Sequence, residues 1–299
     1  MELFRRDSRS RVRALAKIAT AVQHRVNRGD ETEGQLPNLK RENHFLPKCY
    51  QKGFTDSSGK VWVKFAHGGK LKPCNPRSVG QKQNLYIRKR NGSEDDKVED
   101  FFGKEVENQF AALSRRVKNE QNGLSNITGA ELGALGIFVA CQAVRTLAHK
   151  QCMEEQAGGP IDGNTFVSVM AKQMWVILHS WKANPPTFRF YTPLPHLGEQ
   201  FITGDHPVMV IQVNDNPIWV PTDTPNLGIT DLTQILNSPN HGFLLSLSPY
   251  VCTFLQGQGN GEAHLPPQTL EPSDVRSFNK LIRGQSTIFI LARDKESLA

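Results

Sequence analysis

The chain has 299 residues, of which 38% are hydrophobic and 22% charged; that is enough for a sizeable core and ordinary for a water-soluble globular protein. No apolar run approaches the ~18 residues that a membrane span needs, and residues 1–28 lack the hydrophobic block of a signal peptide. The net charge of +7 is uneven, because residues 1–28 hold eight Arg or Lys against Glu2 and Asp7, leaving 28 basic and 27 acidic residues elsewhere. The five cysteines (Cys49, Cys74, Cys141, Cys152 and Cys252) are dispersed and form no C-x-x-C pair. That usage points to a reducing, cytoplasmic compartment and excludes a zinc ribbon.

In chain order, Val12, Leu15, Ile18, Val22 and Val26 recur at helical spacing, predicting a helix from Ser8 to Asn27 that Gly29 stops. Arg9, Arg11, Arg13, Lys17 and Arg25 occupy its other faces, which suits a nucleic-acid phosphate backbone or another anionic surface. A solvated helix packed by its valine stripe, or a transit peptide, would carry the same residues. Residues 29 to 42 read as a polar linker. The expected organisation is therefore a basic arm and linker over 1–41 and one α+β domain over 42–299. That domain has an N-terminal β-hairpin region, a mostly helical middle of three long helices (97–183) and a β-rich C-terminal half (187–292).

Residues 43–54, Asn-His-Phe-Leu-Pro-Lys-Cys-Tyr-Gln-Lys-Gly-Phe, form the most delimited stretch. Pro47 suits a first helical position and Gly53 a left-handed stop, so a short helix is expected over 47–52. His44 then sits in extended chain beside the helix start, flanked by Phe45, Leu46, Tyr50 and Phe54. A histidine held there suits proton transfer or a core hydrogen bond, and nothing nearby in sequence supplies a partner.

Val61 to Phe65 predicts a strand with a turn at His67–Gly69, and Asn84 to Ile87 a further strand. A helix is expected over 98–118 from the stripe Val98, Phe102, Val106, Phe110, Leu113 and Val117, with Glu99 and Asp100 complementing its dipole. Thr128–Glu131 is a capping box that opens a nearly all-apolar helix, Leu132 to Ala148. Gln142 and Arg145 lie inside it, three residues apart and so neighbours on one face. A guanidinium there must find a carboxylate, a phosphate or several carbonyls. The third long helix covers 166–181.

The C-terminal half reads as strands at 188–191, 200–203, 208–213, 218–220, 250–255 and 287–292, with a helix from Pro272 to about Arg283. Thr203-Gly204-Asp205-His206 stands between two apolar arms. Asp205 would close an Asx-type turn or partner Arg145 or His44.

Together, Asn43-His44-Phe45-x-Pro47-x-x-Tyr50, Phe54, the strand around Trp62, Asn75-Pro76, Gln142-x-x-Arg145-Thr146, Phe201-Ile-Thr-x-Asp205-x-Pro207 and Leu247-Ser248-Pro249 resemble a bacterial and phage family. That family is recorded as domain of unknown function number 4238, and the resemblance covers roughly residues 42–292. Gly204 and His206 depart from it, where Ser and Asn are expected. The resemblance directs attention to positions and implies no chemistry.

The leading expectation is a cytoplasmic enzyme with nuclease- or hydrolase-like phosphoryl chemistry on nucleic acid or a nucleotide. His44 would be acid or base, Asp205 would orient it, Arg145 would hold phosphate and Gln142 would assist, with Asn43, Tyr50 and His206 lining the substrate. No cofactor is expected. A divalent metal on His44, Asp205 and His206 is the weaker alternative, because spacing alone does not support it. The competing expectation is a non-catalytic nucleic-acid-binding or interaction protein in phage–host conflict, whose polar residues form a buried structural network. Solvent access separates the two. Nothing in the sequence indicates an oligomeric state.

Overall fold

The computed structural model describes residues 39–298 apart from 67, 91–92, 119–123, 125, 196, 214–218, 222–228 and 258–264. The helix expected over 8–27, with Arg9, Arg11, Arg13, Lys17 and Arg25, and most of the linker lie outside the described residues.

The chain opens with β1 (Glu42–His44) and α1 (Lys48–Gln51), which tightens into a 3₁₀ turn over Lys52–Phe54. Gly53 is not the left-handed stop expected of it. Its φ is not positive, and a Cβ there would lie 2.8 Å from the Leu247 carbonyl oxygen, so the glycine is required by close approach of two backbones. β2 (Val61–Phe65) and β3 (Lys72–Cys74) form the expected hairpin. β4 (Gln81–Gln83) pairs with β1, and β5 (Arg88–Arg90) pairs with β6 (Ser93–Asp95). The strand expected over 84–87 is a turn instead. Asn84 takes φ 56°, where a short side chain tolerates the left-handed region, and Leu85, Tyr86 and Ile87 are buried without ladder partners.

The helical middle holds more breaks than expected. The first rod runs as α2 (Lys97–Phe101), a π-helical segment (Phe102–Glu107) and α3 (Asn108–Val117). α4 (Gly129–Val144) begins at the predicted capping box, with the Glu131 amide donating to Thr128 Oγ1 and the Thr128 amide to Glu131 Oε2. It stops at Arg145 rather than running to 148. Thr146 is extended (ψ 158°), and its Oγ1 accepts the His149 amide to start α5 (Leu147–Ala157). α6 (Gly163–Ala183) follows. No single helix among the described residues is long and apolar enough to cross a membrane. α4 and α5 pass such a test only as a pair bent by 42°, and α4 is buried on almost every face inside the protein.

The rest is β7 (Thr187–Pro193), β8 (Thr203–Gly204), β9 (Val208–Val213), β10 (Trp219–Pro221), α7 (Ile229–Asn237), β11 (His241–Ser248), β12 (Val251–Gln256), β13 (Gln268–Leu270), α8 (Pro272–Gln285) and β14 (Phe289–Ala292). Six strands make one sheet in the order β10-β9-β11-β12-β7-β13, antiparallel except where β13 meets β7. The second sheet is β3-β2-β14-β8, so the C-terminal strand is inserted between the N-terminal hairpin and β8.

The large sheet separates two cores. Val208 and Val210, Phe243, Leu245 and Leu247, and Val251 and Leu255 face the core built with α4 and α6. Their alternate neighbours Met209 and Ile211, Leu244, and Cys252 and Phe254 face a second core with Phe201, Val275, Phe278 and Ile282. Strands covered on both faces lose the apolar–polar alternation that marks a half-exposed strand. The architecture is α+β.

Candidate functional site

The rod Lys97–Val117 presents Glu99 and Glu107 toward Arg145, which stands at the break between α4 and α5. A π segment has a wider turn than an α-helix and changes the angle by which Glu107 follows Glu99. Arg145 has no exposure at all, so its charge must be answered locally. Its Nη2 donates to Glu107 Oε1 at 2.8 Å and to the His44 carbonyl at 2.7 Å. The Phe102 ring lies under the guanidinium at 4.2 Å, a cation–π contact. The Tyr86 hydroxyl donates to the Arg145 carbonyl at 2.6 Å. Burial alone would lower the guanidinium's affinity for its proton, but the negative charge of Glu107, reinforced by Glu99 and by the hydrogen bond to Glu107, outweighs it and holds the group above its ordinary value.

Glu99 is the second carboxylate of the cluster. Burial is the main cause that pushes its carboxyl up to about 7, and the negative charge of Glu107 adds to it; Arg145 and the His44 amide pull the other way. Glu99 Oε1 accepts the His44 amide at 3.4 Å, while Oε2 is buried without a hydrogen-bond partner among the described residues. Arg145 Nε and Nη1 and Gln142 Oε1 are likewise unbonded.

The predicted site residues are brought together by segment, though not in the roles expected. Gln142 Nε2 donates to the Phe45 carbonyl at 3.2 Å, beside the Arg145–His44 bond. Thus 43–45 and 142–145 converge. His44 takes part through its backbone. Its imidazole Nε2 bonds the Arg77 carbonyl at 3.3 Å, and because a carbonyl only accepts, that nitrogen carries the proton.

Asp205 is not the partner of His44 or Arg145. Its carboxylate accepts the Thr287 amide at 3.1 Å, the Thr287 hydroxyl at 2.9 Å and the Phe289 amide at 3.4 Å, fastening β8 to the start of β14. Burial raises its pKa against these bonds. Tyr50 and Asn43 are also placed in the interior. The Tyr50 hydroxyl donates to the Ser246 carbonyl at 2.6 Å and shares a hydrogen bond with Thr203 Oγ1 at 2.7 Å. Asn43 Nδ2 donates to the Lys40 carbonyl at 2.9 Å, and its Oδ1 accepts the Tyr86 amide at 3.0 Å.

His206 Nδ1 meets Thr146 Oγ1 at 2.8 Å, and His149 Nε2 meets Gln173 Oε1 at 2.8 Å. Burial and the neighbouring His149 push the His206 imidazole down to about 4. His44, Asp205 and His206 are not gathered on one centre, and among the described residues no group of three or more His, Cys, Asp or Glu is placed to hold a metal ion. Nucleophilic thiol chemistry is disfavoured too, because burial pushes Cys49 and Cys141 up to about 12.

Sequence reasoning missed Glu107 and gave Glu99 only a dipole role. The available signal was their position immediately after Val98 and Val106, at the edge of a buried stripe where a carboxylate needs a partner.

Residues 42–174 match the family described as "Protein of unknown function (DUF4238)". That stretch belongs to this family. The DUF4238 stretch holds His44, Tyr50, Glu99, Glu107, Gln142 and Arg145, whereas Asp205 and His206 come from beyond it. Among curated proteins, 120 residues are 27% identical to MADS-box transcription factor 8 of Oryza sativa subsp. japonica, covering 39% of this chain and 46% of that protein. No solved structure matches.

Proposed function

We propose that this protein is a non-catalytic nucleic-acid-binding protein in which His44, Gln142, Arg145 and Asp205 serve the fold and the positive charge of residues 1–28 serves the partner. Enclosure carries this reading. Arg145, Gln142 and Asp205 are each 0% exposed, whereas a group that handles substrate must face it. The bonds that these side chains do make are to the protein itself: Arg145 Nη2 with Glu107 and His44, and Asp205 with Thr287 and Phe289. The surplus charge of residues 1–28 suits sequence-indifferent contact with phosphates. A cytoplasmic location is part of the proposal, in keeping with five free cysteines. The likeness to a protein named as a transcription factor spans under half of either chain and adds no residue-level argument.

The test replaces Arg9, Arg11, Arg13, Lys17 and Arg25 with Gln in the full chain and titrates salt against duplex DNA. The slope of log affinity against log salt should fall by about 0.9 for each phosphate that the arm no longer neutralises. An unchanged slope rejects the arm. In parallel, wild type and His44→Ala are assayed on mixed RNA, DNA and nucleotides, with no hydrolysis expected from either. Hydrolysis by wild type that the substitution abolishes would return His44 to a catalytic role.

A further inference from the structure

Away from the buried cluster, three cations from three parts of the chain meet on one surface. Lys52 lies in the 3₁₀ turn after α1, Lys118 directly follows α3, and Arg293 directly follows β14. Hydrogen bonds join their surroundings into one patch. Lys118 Nζ donates to Thr55 Oγ1 at 2.6 Å, and Thr55 Oγ1 donates to the Lys52 carbonyl at 3.1 Å. Ser248 Oγ donates to the Val117 carbonyl at 2.8 Å, the Tyr250 amide donates to Ser248 Oγ at 3.2 Å, and Arg293 Nη1 donates to the Tyr250 hydroxyl at 2.8 Å.

Among the described residues, Lys118 Nζ bonds the Thr55 hydroxyl, and Arg293 has both the hydroxyl and the ring of Tyr250, the ring centroid at 5.4 Å. No described carboxylate lies within ion-pair distance of Lys52, Lys118 or Arg293. Asp56 is the nearby acid, and its Oδ1 is engaged by the Ser58 amide and hydroxyl and by the Lys60 amide. Arg293 and Lys52 both lie near enough to act on Lys118: its pKa is lowered first by burial and then by Arg293 and Lys52, with Asp56 opposing. A position after the end of α3 favours one cation through the helix dipole, but it does not explain the convergence of the other two. Like charges held together at a mutual cost are relieved by an anion placed among them.

We propose that Lys52, Lys118 and Arg293, with the Thr55 and Tyr250 hydroxyls beside them, form a binding site for a phosphate-type oxyanion. The ligand chemistry is a tetrahedral, multiply charged oxygen acceptor that a guanidinium fork and two ammonium groups can share. Such a group comes either from a nucleic-acid backbone or from a free phosphate compound. The site uses no residue of 1–28, so it goes beyond the function proposed above and stands if the arm binds nothing.

The experiment uses the full chain with two probes: inorganic pyrophosphate by isothermal titration and a short, labelled single-stranded DNA by fluorescence anisotropy. The double variant Lys118→Gln/Arg293→Gln should weaken binding by about tenfold or more, in line with the removal of charge-assisted hydrogen bonds. The control Lys172→Gln/Lys182→Gln, which removes the same charge from an exposed part of α6, should leave binding unchanged, and Lys118→Arg should retain it. Circular dichroism and melting temperature confirm that each variant is folded. Cluster-dependent binding of both probes assigns the site to phosphate groups in general. Cluster-dependent binding of DNA alone assigns it to the nucleic-acid backbone, and of pyrophosphate alone to a free phosphate compound. Failure of wild type to bind either probe, or an equal weakening in the control, overturns the proposal.

Discussion

Arg145 and Glu107 meet through one guanidinium nitrogen, which donates at 2.8 Å to the carboxylate and at 2.7 Å to the His44 carbonyl. A single buried donor thereby ties the π-containing rod, the α4–α5 break and the strand β1 together. Because Arg145 is fully enclosed and Glu107 is mostly so, loss of the tie would be felt as stability.

Arg145→Ala should destabilise the protein by about 3–5 kcal/mol, the usual cost of leaving a buried charge unpaired. Here the stranded partner is Glu107, and the His44 carbonyl is left without its donor as well. Chemical denaturation of wild type and variant measures this. A variant as stable as wild type would mean that Arg145 is not a structural tie.

Glu99 should make stability depend on pH. Its carboxyl rises from an ordinary value of 4.5 to about 7 in the folded state. A raised carboxyl contributes stability that is fully present below the unfolded value and is lost as pH rises through the folded one. The contribution should thus be complete near pH 4 and gone above pH 7, a change of about 3 kcal/mol. Glu99→Gln keeps an acceptor for the His44 amide and cannot ionise, so it should melt higher than wild type at pH 8 and alike at pH 4. Identical melting curves at both pH values would refute the assignment.

His206 acts in the opposite direction. Its imidazole is pushed down to about 4 from 6.5, mainly by burial. The neutral ring's contribution is present above pH 6.5 and is lost as pH falls through about 4. His206→Asn retains a hydrogen-bonding group for Thr146 Oγ1 and removes the titration, so it should narrow the gap in melting temperature between pH 7 and pH 4.5. A gap as wide as that of wild type would place the acid sensitivity elsewhere.

Asp205→Ala should loosen the junction of β8 and β14. It strips acceptors from the Thr287 and Phe289 amides and the Thr287 hydroxyl, at about 1–3 kcal/mol for each buried donor left unpaired. Hydrogen exchange at Phe289 should rise in step. Unaltered protection there would show that the strand pairing holds without the carboxylate.

Much of this is legible in the chain itself. The capping box at Thr128, the stripe of Phe102, Val106 and Phe110, and the hairpin strand Val61–Phe65 are local signals, because the period of apolar residues and a cap within one turn act over a few residues. The need of Arg145 for a carboxylate, a phosphate or several carbonyls is equally readable, since a guanidinium in an apolar helix must have its charge answered. Which carboxylate it takes is not, because Glu107 lies 38 positions away and only packing of the rod against α4 selects it. β11 gives no signal for a related reason: buried on both faces between two cores, His241–Ser248 lacks the alternation that marks a strand. The helix break at Thr146 and the turn at Asn84 are each decided by one residue's side chain or backbone freedom. His44 and Asp205 stand out in the sequence as polar groups in apolar surroundings. Their separation into a backbone tie and a strand clasp is decided only by tertiary structure, because a partner for a buried hydrogen bond is chosen by distance in space, on which sequence spacing is silent.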